Sequence, residues 1–373
     1  MEGPTNVHSR SVAKHESLVS PGIRRAALTR FRGAARLLPP QKKPAKSRLE
    51  KMKMTVLVTG SVAVDHIMTF EDHFKNHFVA DKLEKLNVAF HVPGLLKLFG
   101  GTGANIAFNL CRLGIDPILL AAVGSDLGSY AAWMDENGVR RDHLLVLDDQ
   151  YTAAAFITTD AAHNQIISFH PGAMDRAHEA RIADVKEPFS VGIVSPNGKQ
   201  AMIDYARDLK ERGAHCVMDP GQGLPILDAE ELLEALTGAS VYIVNDYEWE
   251  MTCQKTGLDE DAIAERVGAL IVTRGEEGSL LRRGGQDSGL RIDQDRTVLA
   301  SVKAEKVVDP TGCGDSYRAG LLYAIVNDLP LEVGARLGSL MGALKVARQG
   351  PQSIDLDLEA IRERYASEFG ESF

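Results

Sequence analysis

The sequence predicts an α/β fold, a doubly wound and mainly parallel sheet with a small β-rich lid. Its strand-like segments are continuous apolar runs rather than alternating ones, which is typical of strands buried on both faces. Segments with helical periodicity separate most of these runs, and that alternation favours parallel strands. A hairpin without a neighbouring helix, at 153–158 and 165–169, is assigned to the lid with segment 65–98, so the lid lies near 65–98 and 153–170.

The elements follow in order along the chain. A short β-rich run ending in glycine predicts the first strand at 55–60, and the aromatic, His-rich segment 65–98 predicts a small accessory sheet. A glycine turn at 100–105 precedes a helix at 105–113, and the apolar run 118–124 is the next expected strand. Beyond it, strands are predicted at 191–195, 216–219, 241–245 and 269–273, and helices at 199–212, 230–236 and 262–267.

Residues 1–53 differ in composition from the rest of the chain. They carry 13 Lys and Arg against three acidic residues, a net charge of +10, whereas the whole chain carries −9 and the remainder therefore −19. An Arg-rich, acid-poor N-terminus is typical of an organelle transit peptide. We favour a disordered basic extension or a start codon misassigned ahead of Met52 or Met54. The folded domain is predicted to span 54–370.

The acidic body argues against a nucleic-acid-binding protein, because a phosphate backbone needs a basic face. No apolar run approaches the roughly 18 residues of a membrane span. The four cysteines form no Cys-x-x-Cys pair, which argues against a zinc site or a disulfide framework. These features predict a cytoplasmic protein without nucleic-acid or membrane partners.

The strongest chemical signal is the segment 309–320, DPTGCGDSYRAG, between a strand-like run and an apolar helix. Glycine-rich loops at helix N-termini let backbone N–H groups approach an anion, and the helix dipole favours negative charge there. Asp315 lies at the start of this helix, beside the expected position of a phosphate. Because like charges repel, its carboxylate suits a base that takes a proton from an attacking hydroxyl. A plain capping aspartate is the alternative from the residues alone.

The segment resembles the D-x-x-G-x-G-D signature of the ribokinase-like (PfkB) family of carbohydrate and nucleoside kinases. Another segment, 164–174 with SFHPGAM at 168–174, looks most like the bacterial adenosine kinase-type members of that family. The resemblance to the family covers 54–365, because three further landmarks appear in the family's order. Gly100-Gly101 with Asn105 resembles its double-glycine motif. The sequence NDYE at 245–248 resembles its N-x-x-E motif, and TRGEEG at 273–278 its T-x-G-x-x-G nucleotide loop.

This resemblance implies an enzyme that transfers a phosphoryl group from ATP to an alcohol. Asp315 is then the base, and the backbone amides of Gly312, Cys313 and Gly314 form the anion hole. One interpretation gives the Cys313 thiol, at a helix N-terminus, a lowered pKa; the other treats it as a tolerated small side chain. For Arg318 we expect either a contact to the ATP phosphates or a surface salt bridge.

The resemblance also implies where metal and nucleotide bind. Glu248 with Asn245 organises Mg²⁺ and the phosphates, unless the pair is only a capping box. Thr273, Gly275 and Gly278 line the ATP phosphates and ribose. Potassium is a further candidate cofactor, because some family members respond to it near the loop that here contains residues 309–311.

On the acceptor side, the resemblance implies that Asp65 and Asn105 bond substrate hydroxyls, while Gly100 and Gly101 allow lid closure. A turn cap for Asp65, a plain N-cap for Asn105 and a tight turn at the glycines are the structural alternatives. The lid regions also hold five of the 12 phenylalanines, rings on which a purine stacks well; they are Phe70, Phe74, Phe78, Phe90 and Phe169.

We therefore expect adenosine as the acceptor, phosphorylated at its 5′-hydroxyl, with Phe169 in the substrate site. The alternative for the aromatic rings is a core of the lid itself or a dimer contact, and a homodimer through the lid is one expected partner arrangement. The alternative function is a sugar kinase of the ribokinase or fructokinase type. A non-catalytic ligand-binding protein is a remote alternative.

Overall fold

The apolar runs of the sequence become the strands of a large twisted sheet. The computed structural model describes residues 36–37, 55–78 and 87–373, so nearly all of the basic segment 1–53, with the predictions made for it, lies outside the described residues. In chain order the strands are β1 (Arg36–Leu37), β2 (Thr55–Thr59), β3 (Ala63–Thr69), β4 (Gly94–Gly100), β5 (Ile118–Gly124), β6 (Leu144–Leu147), β7 (Ala153–Thr159), β8 (Gln165–His170), β9 (Phe189–Val194), β10 (His215–Met218), β11 (Val241–Asn245), β12 (Ala269–Thr273), β13 (Ser279–Arg283) and β14 (Arg296–Leu299).

Strand order confirms the predicted doubly wound, mainly parallel sheet. The large sheet runs β1-β6-β5-β2-β9-β10-β11-β12-β13-β14. Every pair from β6 through β12 is parallel, whereas β1, β13 and β14 add antiparallel edges. The strand order reverses at β2, and in such sheets ligands bind beyond the carboxyl ends of the strands.

Helices cover both faces of this sheet. Val56 and Val58 of β2 belong to one buried cluster, and Leu57 between them belongs to another on the opposite face. Within the described part of the chain, no helix is long and apolar enough to cross a bilayer. The helices are α1 (Thr102–Arg112), α2 (Gly128–Glu136), α3 (Lys199–Glu211), α4 (Ala229–Leu236), α5 (Asp246–Thr256), α6 (Glu260–Ala264), α7 (Cys313–Val326), α8 (Leu331–Val346) and α9 (Leu358–Phe369).

Helix α1 begins at Thr102, three residues before its predicted start, because Gly101 is its N-cap. Gly101 has a φ of 89°, and a Cβ there would lie 2.5 Å from the carbonyl oxygen of Ser61. Both facts require glycine at this position. Asn105 is consequently inside the helix, and the N-cap alternative for it is wrong.

A second, smaller sheet has the order β4-β3-β7-β8. Strand β3 pairs antiparallel with β4 and parallel with β7, and β8 closes the sheet antiparallel to β7. Asp65 lies in the middle of β3, so the turn-cap alternative for it is wrong. Residues in register share a face, which places Asp65, Leu98, Ala155 and Phe169 side by side on what we call the Asp65 face.

Most of the lid phenylalanines pack on one another instead of lining a site. The rings of Phe70 and Phe74 are buried and stack at 5.7 Å, and Phe90 lies 4.9 Å from Phe70 and 5.1 Å from Phe74. Phe78 contacts Phe74 and Phe90 at 6.5 and 6.1 Å. The prediction that these four rings offer a surface for a stacked purine is therefore wrong, and they form a core of the lid itself. Phe169 alone of the five lies apart, with 53% of its surface exposed.

Candidate active site

The loop before α7 is held in one conformation by close backbone packing. Gly312 is the N-cap with a φ of 80°, and a Cβ there would lie 2.7 Å from Pro351. The carboxylate of Asp309 accepts hydrogen bonds from the Thr311 and Gly350 N–H groups at 2.9 and 2.8 Å. The first N–H groups of α7 therefore point toward a fixed position beyond the helix.

The three predicted anion-hole amides are not equivalent in this conformation. The N–H of Cys313 donates to the carbonyl of Pro310 at 3.2 Å, so it is already engaged within the loop. Its thiol also departs from one prediction, because burial raises the pKa of Cys313 to about 11 instead of lowering it. The thiol stays protonated at neutral pH, which agrees with a tolerated small side chain.

Asp315 lies in the first turn of α7 and accepts a hydrogen bond from Asn105 Nδ2 at 2.8 Å. Burial, together with repulsion from Asp219 and Glu248, raises the pKa of Asp315 to about 6. At neutral pH this carboxylate is still mostly ionised, yet it is a stronger base than an ordinary aspartate. A positioned base of this strength suits proton removal from an alcohol.

The amide of Asn105 is oriented by a chain of hydrogen bonds. Its Oδ1 accepts from Gln352 Nε2 at 3.0 Å, and the Gln352 Oε1 accepts from Trp133 Nε1 at 2.8 Å. Because an indole N–H can only donate, this chain fixes which way each amide points. Gln352 Nε2 also reaches the Tyr130 hydroxyl at 2.6 Å, which itself donates to the carbonyl of Gly100 at 2.7 Å. Asn105 therefore presents its NH₂ group to Asp315.

Arg318 forms a buried ion pair. Its Nε and Nη2 donate to the two carboxylate oxygens of Asp219 at 2.7 and 2.9 Å, and only 5% of Arg318 and 2% of Asp219 are exposed. Arg318 does form the predicted salt bridge, but the prediction that this bridge lies on the surface is wrong. Nη1 lies 3.3 Å from the carbonyl of Gly314. The Arg318 guanidinium therefore joins Asp219 to the glycine-rich start of α7.

Asn245 and Glu248 form the capping box of α5. Glu248 N–H donates to Asn245 Oδ1 at 2.7 Å, and Asn245 N–H donates to Glu248 Oε2 at 2.8 Å. Burial and repulsion from Asp219 also raise the pKa of Glu248. The carboxylates of Asp219, Glu248 and Asp315 therefore lie around the guanidinium of Arg318 and repel one another. This excess of negative oxygen donors fits a hydrated Mg²⁺, which prefers one or two carboxylates plus phosphate oxygens.

The predicted nucleotide loop follows β12 at the same edge of the sheet. Thr273 lies in register with Asn245 of the neighbouring parallel strand, so the two landmark motifs are adjacent. Gly275 and Gly278 have φ values of 55° and 89°. A Cβ on Gly278 would lie 2.0 Å from the carbonyl oxygen of Leu299, so this turn excludes other residues.

The Asp65 face of the small sheet lies toward the loop before α7 (residues 309–312). A Cβ on Gly100 would lie 3.0 Å from Asp65 Oδ2, and burial together with repulsion from Asp309 raises the pKa of Asp65 to about 6. Phe169 shares that face, one strand beyond Ala155. An acidic group and an exposed ring thus stand on the same side of the sheet.

Sequence reasoning missed three residues of this arrangement: Asp219, Lys345 and Gln352. Asp219 comes directly after β10, at the carboxyl end of a parallel strand, and this position was a usable signal. Gln352 lies in a loop with no motif, and Lys345 looks like an ordinary lysine near the end of a helix. Only the folded chain brings them to the site.

The known proteins to which this chain is similar are kinases. A model described as pfkB family carbohydrate kinase matches residues 55–357. The chain is 30% identical over 304 residues to the nucleoside kinase of Methanocaldococcus jannaschii, which covers 80% of this chain and 92% of that one. It is also similar to the Burkholderia thailandensis nucleoside kinase in complex with inosine, with 41% identity, a TM-score of 0.75, and coverage of 85% and 99%. Another structure of that kinase is a complex with ADP-inosine, at 42% identity and a TM-score of 0.73, covering 85% and 97%.

Proposed function

The chain belongs to the pfkB family of carbohydrate kinases, and we propose that it transfers a phosphoryl group from ATP to the 5′-hydroxyl of adenosine, giving AMP and ADP. A kinase of the nucleoside or carbohydrate type follows from the family and its relatives. The similarity to nucleoside kinases supports a nucleoside acceptor, and the inosine complexes of one such kinase add inosine to the purines worth testing.

One observation carries the catalytic part of this proposal. Asp315, at the N-terminus of α7, is held by Asn105 and has a pKa raised to about 6. In the proposed reaction Asp315 takes the proton of the acceptor hydroxyl as its oxygen forms a bond to the γ-phosphorus, and the bond from that phosphorus to the bridging oxygen of ADP breaks. The N–H groups of the α7 N-terminus stabilise the charge on the transferred group.

The same geometry supports an assignment of residues to the metal, the nucleotide and the acceptor. Mg²⁺, when bound with ATP, neutralises phosphate charge, and Glu248, with Asn245 and Asp219 beside it, would hold it. The loop with Thr273, Gly275 and Gly278 would carry the nucleotide. On the acceptor side, Asp65 and Asn105 would bond ribose hydroxyls.

The small sheet would act as the lid of this site, with Gly100 and Gly101 as its closing point. Its edge strand β8 is exposed along its whole length, which supports pairing of two subunits through the lid. A cytoplasmic location is also part of the proposal, supported by four unpaired cysteines.

The first experiment is an ADP-release assay with magnesium-ATP and adenosine, inosine, cytidine, ribose and fructose. Turnover highest on adenosine supports the proposal, and equal or higher turnover on inosine moves it to purine nucleosides in general. Turnover on ribose or fructose alone establishes the sugar kinase and removes the nucleoside assignment. Nucleoside binding without turnover identifies the non-catalytic alternative.

Replacing Phe169 with Ala is expected to raise the KM for adenosine about two- to tenfold, because a stacked ring contact on the base is lost. The kcat and the KM for ATP should stay unchanged, since the proposal assigns this ring to the base of the acceptor and not to the transferred group. Phe156→Ala is the matched control: Phe156 is 42% exposed but lies on the other face, stacked on His66 at 4.9 Å. Equal effects of both variants would contradict a base-stacking role.

Replacing Gln352 with Met is expected to lower kcat/KM by about fivefold, the worth of one hydrogen bond. Without its Gln352 partner the Asn105 amide is free to turn. The bond that Asn105 gives Asp315 holds the pKa of that carboxyl down, so the acidic limb of the pH profile should move to higher pH. Gln200→Met, on the exposed side of α3, is the control. A lower rate with an unmoved limb would show that Gln352 only supports packing.

A further inference from the structure

Lys345 of α8 is a lysine with no exposed surface. Its Nζ donates to the backbone carbonyl of Asp309 at 2.6 Å and to that of Arg348 at 3.3 Å, and it lies 3.7 Å from Asp309 Oδ2. Buried ammonium groups are costly unless a negative partner and oxygen acceptors replace water. The Lys345 ammonium therefore has a defined set of oxygen partners within the protein.

The partner carboxylate is ionised. Burial alone would raise the pKa of Asp309. Hydrogen bonds from Thr311 and Gly350, together with the charge of Lys345, nevertheless hold that pKa below its usual range. Burial lowers the pKa of Lys345 below its usual range, and the charge of Asp309 opposes part of that shift. The two groups form a buried pair at the entry of the glycine loop.

The pair joins the two segments that build the candidate site. Asp309 begins the loop that ends at Gly312, the N-cap of α7. The other segment, after α8, supplies Pro351, which packs against Gly312, and Gln352, which orients Asn105. Through its bonds to Asp309 and Arg348, one ammonium group fixes how these segments lie against each other.

The family resemblance also implies that a potassium ion, where one is used, lies near Asp309 and Thr311. Carbonyl and carboxylate oxygens are the ligands such an ion would need, yet the Asp309 carbonyl already accepts from Nζ. The Asp309 carboxylate is occupied by the N–H groups of Thr311 and Gly350 and by Gln349 Nε2 at 3.1 Å. A second cation beside the ammonium would be strongly repelled at such short range. The residues present do not fit an added potassium ion.

We propose that Lys345 is a built-in monovalent cation: its ammonium holds the loop before α7 as a bound potassium ion would, and makes the reaction independent of added potassium. This inference rests on the proposed kinase function, and it assigns Lys345 a positioning role, since its Nζ is engaged by oxygens of Asp309 and Arg348. A tethered charge is always at its site, so no ion has to bind before the loop is ordered.

The test compares the wild type with Lys345→Met in buffers of equal ionic strength that contain choline, potassium or ammonium chloride. For the wild type, kcat/KM and the thermal midpoint should be the same in all three salts. Lys345→Met should lose about tenfold or more in kcat/KM in choline, because the Asp309 charge is left unpaired. Potassium or ammonium should restore several-fold of that loss and raise the midpoint of the variant alone. Lys303→Met, at an exposed lysine, should behave as the wild type.

Three results would overturn the proposal. They are a saturable activation of the wild type by potassium, full activity of Lys345→Met in choline, and a folded but inactive variant that neither salt rescues. Should Lys345→Met fail to fold, the wild-type salt series still decides, because potassium activation there contradicts the proposal and its absence supports it. Should no acceptor be phosphorylated, the kinase proposal fails separately, and the salt dependence of the thermal midpoint still reports on Lys345.

Discussion

Asp315→Asn is expected to lower turnover on every accepted substrate by about 10²–10⁴-fold, the usual contribution of a positioned general base. The variant should fold, because the new amide can turn its oxygen toward Asn105 Nδ2, which now donates to the carboxylate at 2.8 Å. Binding of ATP and acceptor should change little, since the shape of the first turn of α7 is kept. The measurement is single-turnover ADP release together with calorimetric binding of each substrate.

The dependence of kcat/KM on pH tests the same role for Asp315. A base must be unprotonated to accept a proton, so wild-type kcat/KM should fall as the pH drops through about 6, the raised pKa of Asp315. That limb should vanish in the variant's residual activity. Asp287→Asn, the same change at an exposed aspartate, is the control. If Asp315→Asn kept most of its turnover, the role of base would belong to another group.

The fold was predictable from the sequence because a continuous apolar run indicates a strand that is buried on both faces of a sheet. The strands β9 to β12 are such runs, and the structure has them within two residues of their predicted limits. Strands β13 and β14 escaped prediction because charged residues interrupt their apolar runs: β13 ends at the exposed Arg283, and β14, the edge strand of the sheet, begins at the exposed Arg296. A pattern search for buried strands cannot find an edge of this kind.

The candidate site divides in the same way. Its landmark loops are local in sequence, and the strands carry them to one edge of the sheet, where Asn245 and Thr273 lie in register. The contacts that tune the site are long-range: Gln352 and Asn105 are 247 residues apart, and Arg318 and Asp219 are 99 apart. Spacing along the chain carries no information on such pairs. The same limit explains the lid phenylalanines, because a count of rings does not show which of them face one another.

The buried pair of Asp219 and Arg318 leads to the largest expected effect on stability. Asp219→Ala leaves a guanidinium that is only 5% exposed without its two carboxylate bonds. Removing one partner of such a pair typically costs about 3–5 kcal/mol. The thermal midpoint should therefore fall by roughly 10 °C for a domain of this size. Differential scanning calorimetry measures both quantities.

The double variant Asp219→Leu/Arg318→Met separates the pair from the packing around it. Because it removes both charges and refills the space with apolar atoms, it should regain most of the stability that the single change loses. The two variants should also differ, in the same order, in their effect on the pKa of the base. Repulsion from Asp219 contributes to the raised pKa of Asp315, whereas Arg318 lowers it. Asp219→Ala should thus move the acidic limb of kcat/KM to lower pH, and the double variant should move it less. A double variant as unstable as Asp219→Ala would show that shape, rather than an unpaired charge, dominates at this position.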